Sequence, residues 1–208
     1  GGTGGIGRAT CLRLATERHD VVVCYHTNKQ LATGLVAEIE SMGCRAVCAG
    51  GDITERKAAE EIVDKAVRHF GGVSVLINCS STPIPQIRFE DLTWEDVQRQ
   101  IDVGIKGILN LVQCVTPVME REKRGRIITL LTQAIENPSS KWIHYITAKA
   151  GLSGFSRSLA VELAPKGIRV NMVSPGMTDT ALVADLPEKA RQLAATRAPL
   201  RRLATPDD

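Results

Sequence analysis

The chain predicts a doubly wound α/β fold, a Rossmann-like parallel sheet flanked by helices. A glycine-rich turn, Gly1-Gly2-Thr3-Gly4-Gly5-Ile6-Gly7, runs straight into a helical pattern. Short β-branched runs then alternate with helix-periodic segments to the far end, the pattern of parallel strands joined by right-handed crossovers. The 208 residues show no break in composition, so residues 1–208 read as one domain. In such sheets ligands sit beyond the carboxyl ends of the strands, and the residues just after each strand are the ones to inspect.

The glycine turn leads into a helix through Ala9, Leu12, Leu14 and Ala15. Residues 21–25 are a buried strand, 31–42 a helix and 44–49 a strand. Residues 54–70 form a helix capped by Thr54, with Ala59, Ile62, Val63, Ala66 and Phe70 on its buried face. A strand over 73–78 precedes a loop over 80–90 that carries Pro83 and Pro85. Helix resumes near Trp94 and continues to about Lys123, where Gly125 stops it and residues 126–131 form a strand. Ala148, Leu152, Phe155, Leu159 and Leu163 recur at steps of three and four, an amphipathic helix that begins around Tyr145. A strand over 168–173, the turn Ser174-Pro175-Gly176 and a polar helix over 187–196 complete the reading.

Composition excludes several classes. The net charge of +3 is mild, and Lys and Arg are interspersed with acids, which leaves no footprint for nucleic acid. Aromatics at 3% offer no base-stacking platform. No apolar run approaches the ~20 residues of a membrane span, and no signal peptide is visible. The six cysteines form no C-x-x-C pair; they read as small apolar residues in a reducing, cytoplasmic setting, with no metal site.

Tyr145 and Lys149 stand four apart on a helix and so share a face. A free tyrosine titrates near pH ~10; a cation within ~4–6 Å favours the phenolate and lowers that value by roughly 1–3 units. A phenol so tuned can exchange a proton at working pH. Taken alone, the pair also fits a core aromatic beside a solvated surface charge. The strand-end positions that accompany it are 25–28, Asp52-Ile53, 78–81, Thr132 and 175–180.

Taken in order, these residues resemble the short-chain dehydrogenase/reductase family over essentially the whole chain, closest to the branch that includes 3-oxoacyl-(acyl-carrier-protein) reductases. The opening turn is similar to the family's T-G-x-x-x-G-x-G loop without its threonine, with the motif glycines at Gly1, Gly5 and Gly7 and with Thr3 and Ile6 beside the cofactor. Asp52, with Ile53, resembles the acid that meets the adenine ring. Asn78 matches the first residue of N-N-A-G, Tyr145 and Lys149 match Y-x-x-x-K, and Thr132 falls where the catalytic serine sits. Asn171, Pro175 and Gly176 resemble the segment leading to the carboxamide-binding residue, here Thr178. The resemblance implies hydride exchange with a nicotinamide cofactor. Tyr145 acts as acid or base, Lys149 lowers its pKa and binds the ribose, and the Thr132 hydroxyl holds the substrate oxygen. It also implies a small carbonyl or alcohol substrate, carrier-protein-bound in the branch named. The long helix near Trp94 and the Tyr145 helix would pair with their symmetry mates in a homo-tetramer or dimer.

No acid stands between Asp20 and Glu38, where an NAD-binding carboxylate would lie. With His26 and Lys29 there instead, the turn favours NADP(H) over NAD(H). Trp142 either walls the substrate pocket or covers the helix start. The direction of His144 on the helix differs from that of Tyr145, which predicts a surface histidine. Lys123 and Lys166 match positions where carrier-protein reductases often carry basic residues, and are read here as solvated charges. Three departures from the family stand out. Its catalytic asparagine aligns with Gly104, which permits a helix irregularity and still supplies a main-chain carbonyl. N-N-A-G has become Asn78-Cys79-Ser80-Ser81. The first strand, and a final helix and strand, are expected to lie outside this stretch. The competing reading is a cofactor-binding structural or sensor subunit with little turnover.

Overall fold

The computed structural model describes residues 1–208, in five strands and seven α-helices joined by short 3-10 turns. Strand β1 (Val21–Tyr25) pairs in parallel with β2 (Ala46–Gly50), Val21 opposite Ala46. A second parallel sheet has the order β3 (Val75–Asn78), β4 (Gly125–Leu130), β5 (Ile168–Val173). The five strands therefore divide into two sheets, and β1 and β3 each pair along one edge only. The glycine turn joins their carboxyl ends. Gly2 donates its N–H to the Cys24 carbonyl at 2.9 Å. A Cβ on Gly1 would come within 2.3 Å of the Cys79 backbone, so only glycine allows this approach.

The helices are α1 (Gly5–Thr16), α2 (Lys29–Ser41), α3 (Arg56–Phe70), α4 (Trp94–Ile101), α5 (Gly107–Arg121), α6 (Ile143–Leu163) and α7 (Glu188–Arg197). One core packs β4 and β5 against α5 and α6 through Ile108, Val112, Met119, Ile127, Leu152 and Ile168. Another packs β1 against α1 and α2 through Cys11, Val23, Leu35 and Ile39. Ala49, Ala59, Ile62 and Leu111 connect β2, α3 and α5. Each large side chain buried this way contributes roughly 1.5–3 kcal/mol. All six cysteines are free thiols.

Several expectations are corrected. The N-cap of α3 is Glu55 rather than Thr54; the Thr54 N–H and hydroxyl both donate to Asp52 Oδ1, a local turn that wins the threonine from the helix end. Ala59, Ile62, Val63 and Ala66 are buried as expected, and Gly71 closes the helix at φ 82°. The single helix expected from Trp94 to Lys123 is two helices joined by a π turn, Asp102–Lys106, centred on Gly104. Thr93 and Asp96 form a capping box at its start, and it ends at Arg121. Gly125 belongs to β4, where a Cβ would press within 2.5 Å of Met119 Sδ. The stretch Trp94–Arg121 is long enough to cross a membrane and contains a window of mean hydropathy 1.3, although Asp102, Lys106 and Asn110 interrupt it. Its apolar side, including Ile108, Val112, Val115 and Met119, faces the protein core.

On α6, Ala148, Leu152 and Leu163 are buried, with Phe155 and Leu159 packed against the same core. His144 is not a surface residue: it is 1% exposed. Helix α4 packs across α6 at this point, and a sequence read one helix at a time does not register that cover. Burial pushes the His144 pKa down, with Asp96 opposing. Lys166 is half-buried and pairs with Glu120 at 3.1 Å, and Lys123 is exposed in a turn at φ 47°.

Candidate active site

A cavity of about 260 Å³ opens where the carboxyl ends of β3 and β4, the start of α6 and the segment after β5 meet the first turn of α1. Tyr145, Lys149, Thr132, Thr178 and Ile6 all line it. Tyr145 occupies the first turn of α6, and Lys149 follows one turn later, so both side chains emerge on one face. Thr132 is extended at φ −159° directly after β4, and its hydroxyl accepts the Ala134 N–H at 3.2 Å. Lys149 is 8% exposed and donates to the Leu130 carbonyl at 2.7 Å. That bond uses one of its three N–H groups.

The electrostatics differ from the expected tuning. Burial pushes the Tyr145 phenol up, and the proximity of the Thr132 hydroxyl pulls the other way. Lys149 is committed to Leu130, and burial pulls its own pKa down to about 8, with Cys79 opposing. Desolvation therefore dominates at the phenol, and the opposing pull comes from the Thr132 hydroxyl rather than from the lysine expected to supply it.

The glycine turn reaches the same cavity. Gly4 caps α1 with no side-chain hydrogen bond, which leaves the first-turn N–H groups of the helix without internal partners. A Cβ on Gly7 would lie 2.0 Å from the Gly1 carbonyl oxygen, and one on Gly5 would lie 2.5 Å from Thr180 Cγ2. Thr3 is half-buried within this turn. Such an open helix end, approached by backbone alone, suits an anionic phosphate.

Asn78 is the buried last residue of β3, and its Oδ1 accepts the Ser80 N–H and hydroxyl at 3.1 and 2.6 Å. It shapes the 78–81 turn, and Cys79, Ser80 and Ser81 line the cavity beside it. His26, Asp52 and Ile53 are not drawn into the cavity. They stand past the ends of β1 and β2, where His26 Nε2 lies 3.9 Å from Asp52 Oδ2 with both side chains well exposed. The backbone N–H of Thr54 holds the Asp52 carboxyl below its usual range. Ile53 anchors this turn to α5, since Asn110 Nδ2 donates to its carbonyl at 2.9 Å.

Sequence reasoning did not single out the apolar wall. Leu182 and Val183 come from a 3-10 turn after Thr180, Leu186 from the residues just past it, and Ile84 from the 80–88 loop. Trp142, left between two roles, lines the cavity and sets its ring edge-on to Tyr145, centroids 6.4 Å apart. No periodicity marks these loop residues; only the position of the segment 174–186 after a strand end pointed to them.

The class follows from known proteins of similar shape and sequence. The family described as short chain dehydrogenase matches residues 1–191, and the chain belongs to the short-chain dehydrogenase/reductase family. It is an oxidoreductase that interconverts carbonyl and alcohol groups with a nicotinamide cofactor. It is 32% identical to a 3-oxoacyl-(acyl-carrier-protein) reductase of Staphylococcus epidermidis, over the whole chain and 85% of that protein. It is 33% identical to the protein of the same name from Thermotoga maritima, over 84% of its length. The fold superimposes on the crystal structure of a dehydrogenase/reductase from Sinorhizobium meliloti with a TM-score of 0.91 and 30% identity, covering 100% of this chain and 81% of that one.

Proposed function

We propose that this enzyme reduces a neutral carbonyl compound with an apolar body, using NADPH in preference to NADH, with Tyr145 as the acid and, in reverse, the base. The observation that carries the reading is the convergence of Thr132, Tyr145 and Lys149 on one largely apolar cavity. The residues present suit the cofactor: the uncapped α1 N-terminus and the glycines around it would hold a pyrophosphate. Thr178, 7% exposed at the far wall, would meet the carboxamide. A bound nicotinamide supplies the hydride to the carbonyl carbon, or accepts it in the oxidative direction.

Thr132 donates a hydrogen bond to the substrate oxygen and orients it. Tyr145 gives that oxygen its proton, and burial favours this role because a raised phenol pKa keeps the proton on the acid until it is needed. Lys149, with two N–H groups free, offers one to the cofactor ribose, and its charge stabilises the phenolate left behind. Lys149 is the only cationic side chain lining the cavity, which argues against a phosphorylated or free-acid substrate. The acyl chain of a 3-oxoacyl thioester, carrier-bound or free, fits the wall of Leu182, Val183 and Leu186.

At the other end, His26 and Lys29 supply the cationic turn for a 2′-phosphate. Trp94, Leu109, Ile143 and Val161 are exposed on α4, α5 and α6, which supports helix pairing into a homo-dimer or tetramer. The free thiols support a reducing, cytoplasmic setting. The test is NADPH oxidation with a panel of ketones, 3-oxoacyl thioesters and 2-oxo acids. Turnover of the neutral apolar members is expected; a preference for the charged acids sinks the substrate reading.

A further inference from the structure

Most polar side chains that line the catalytic cavity are already engaged within the protein. Ser80 Oγ donates to Asn78 Oδ1 at 2.6 Å, Ser81 Oγ to the Thr82 carbonyl at 3.1 Å and Thr178 Oγ1 to the Gly176 carbonyl at 3.2 Å. Lys149 is held by Leu130. Gln133 and Asn137 are different. Both line the cavity and are exposed, and neither amide makes a hydrogen bond to the protein.

Their placement follows from the turn after β4. The Gln133 N–H donates to the Pro175 carbonyl at 2.9 Å, and the Gln133 carbonyl accepts the N–H groups of Glu136 and Asn137 at 3.1 and 3.2 Å. The last of these bonds spans four residues, as in a helical turn, and brings positions 133 and 137 to one side. Gln133 directly follows Thr132, so its Cα stands ~3.8 Å from that of the residue assigned to the substrate oxygen. Its Oε1 lies beside the Pro175-Gly176 turn, 3.3 Å from where a Cβ on Gly176 would stand. No acid lines the cavity, and Lys149 is its one cation. In the free protein the two amides face solvent. A ligand that fills the cavity with hydrocarbon strips them of water and leaves their donors and acceptors unpaired, which disfavours that ligand.

We propose that Gln133 and Asn137 are specificity-determining residues, whose amides hydrogen-bond a second, uncharged oxygen of the substrate close to the carbonyl that is reduced. The inference rests on the reading of this cavity as the site of carbonyl reduction, and it narrows the substrate class. Each amide offers two N–H donors and a carbonyl acceptor. It therefore serves an ester or thioester carbonyl through its nitrogen, and a hydroxyl through either end. The selected substrate is apolar where it meets Leu182 and Val183 and carries two oxygens where it meets Thr132 and the amide pair. A plain ketone of the same size fits the shape but replaces none of the water it displaces from the amides. Neither amide titrates, so the discrimination is independent of pH.

The test uses neutral compounds of matched chain length: a methyl ketone, the corresponding 3-oxo methyl ester and the corresponding 4-hydroxy-2-ketone. Two quantities are measured for each, kcat/KM with NADPH and, by titration calorimetry, the Kd for the enzyme–NADP⁺ complex. The proteins are the wild type, Gln133→Leu, Asn137→Leu and the double variant, in which leucine keeps the bulk and removes the amide. The wild type is expected to favour an oxygenated compound over the ketone by about tenfold or more in both quantities, with a ratio that does not change with pH. Each single variant should narrow that ratio by about threefold and the double variant should abolish it, with the Kd for NADPH within about twofold of wild type. A preference shared by the ester and the hydroxyketone supports bonds from the amide N–H groups; one confined to the hydroxyketone supports bonds to the amide oxygens. Equal values for all compounds in the wild type overturn the inference, as does a preference that survives in the double variant. A weaker Kd for NADPH in Gln133→Leu with the substrate ratio unchanged also overturns it, and gives that amide to the nicotinamide. If none of the compounds is reduced, the reading of the cavity as a carbonyl-reduction site fails, and the calorimetric ratios alone then decide the amide pair.

Discussion

The two ends of the proposed ligand path are built in opposite ways. Past β3 and β4 the polar groups are buried: Tyr145 and Lys149 are 9% and 8% exposed, and burial moves both pKa values away from the charged forms. Past β1 and β2 the polar groups face water. His26 and Asp52 keep more than 40% of their side chains exposed, and the Asp52 carboxyl is stabilised by the Thr54 turn. A proton-transfer site gains from desolvation, because a hydrogen bond or charge counts for more where water is excluded. A site that only distinguishes one charged cofactor from another works at the surface, by placing a cation or an anion near the phosphate. The comparison implies that substitutions at the buried end change kcat, whereas those at the exposed end change cofactor affinity.

The largest effect expected is at the phenol. Tyr145→Phe keeps the ring against Trp142 and removes the proton donor, and should lower kcat by roughly 10²–10⁴-fold with little change in NADPH affinity. A matching loss of affinity would show that the buried end also holds the cofactor in place. Steady-state kinetics beside titration calorimetry separates the two.

Lys149 gives the second effect, and its sign can be worked out. Its folded pKa lies near 8, below the usual lysine value of 10.5. Below pH 8 both folded and unfolded chains carry the charge, and the folded one bears the cost of burying it. Between about 8 and 10.5 the folded lysine has lost its proton while the unfolded one still holds it, so stability rises with pH across that window. At pH 7 the cost is about 3 kcal/mol, reduced in practice by the bond to Leu130. Lys149→Met is therefore expected to melt higher than wild type at pH 7, with the gap closing as pH rises toward 10.5. A gap that is flat with pH would mean the lysine is not desolvated. In the wild type, kcat/KM for reduction should fall as pH rises through about 8, since that profile follows groups of the free enzyme.

Much of the buried end was legible in the sequence. Tyr145 and Lys149 announce themselves by a four-residue step on a periodic helix, and Thr132 and Thr178 by following strands. What escaped depends on contacts between distant segments. His144 is buried because α4 crosses α6, a packing that no single-helix pattern encodes. The exchange of Thr54 for Glu55 at the cap of α3 turns on a competing bond to Asp52. The cavity wall of Leu182, Val183 and Leu186 lies in a short turn without periodicity. The π turn is an intermediate case: glycine in a helix costs roughly 1 kcal/mol relative to Ala, which marked Gly104 as the place for an irregularity without specifying its form.

The exposed end gives a smaller effect. His26→Asp puts a carboxylate beside Asp52 where the 2′-phosphate is proposed to sit. The Kd for NADPH should rise about tenfold, equivalent to ~1.4 kcal/mol, while kcat at saturating cofactor stays within about twofold. If kcat fell as well, the separation between the two ends would not hold, and the 26–52 turn would be coupled to the chemistry.

The smallest effect is expected at Gly104, where the chain departs most from its family and where an active reductase is distinguished from a decayed one. A new side chain has room: its Cβ would meet only Ala148 at 3.9 Å, and the π turn already accommodates the irregularity. Gly104→Asn would direct an amide toward a small cavity shared with Thr82 and Lys149. An amide carries both donors and an acceptor, so it can meet those two groups. The backbone carbonyl at position 104 is present with either residue. The change in kcat should then stay under about tenfold, a barrier difference below ~1.4 kcal/mol, with a melting temperature equal to or above that of wild type because a helix glycine has been replaced. A hundredfold rise in kcat from a barely active wild type would mean that the main-chain carbonyl at position 104 does not by itself replace the asparagine. The natural protein would then be a cofactor-binding relative that has lost its proton supply.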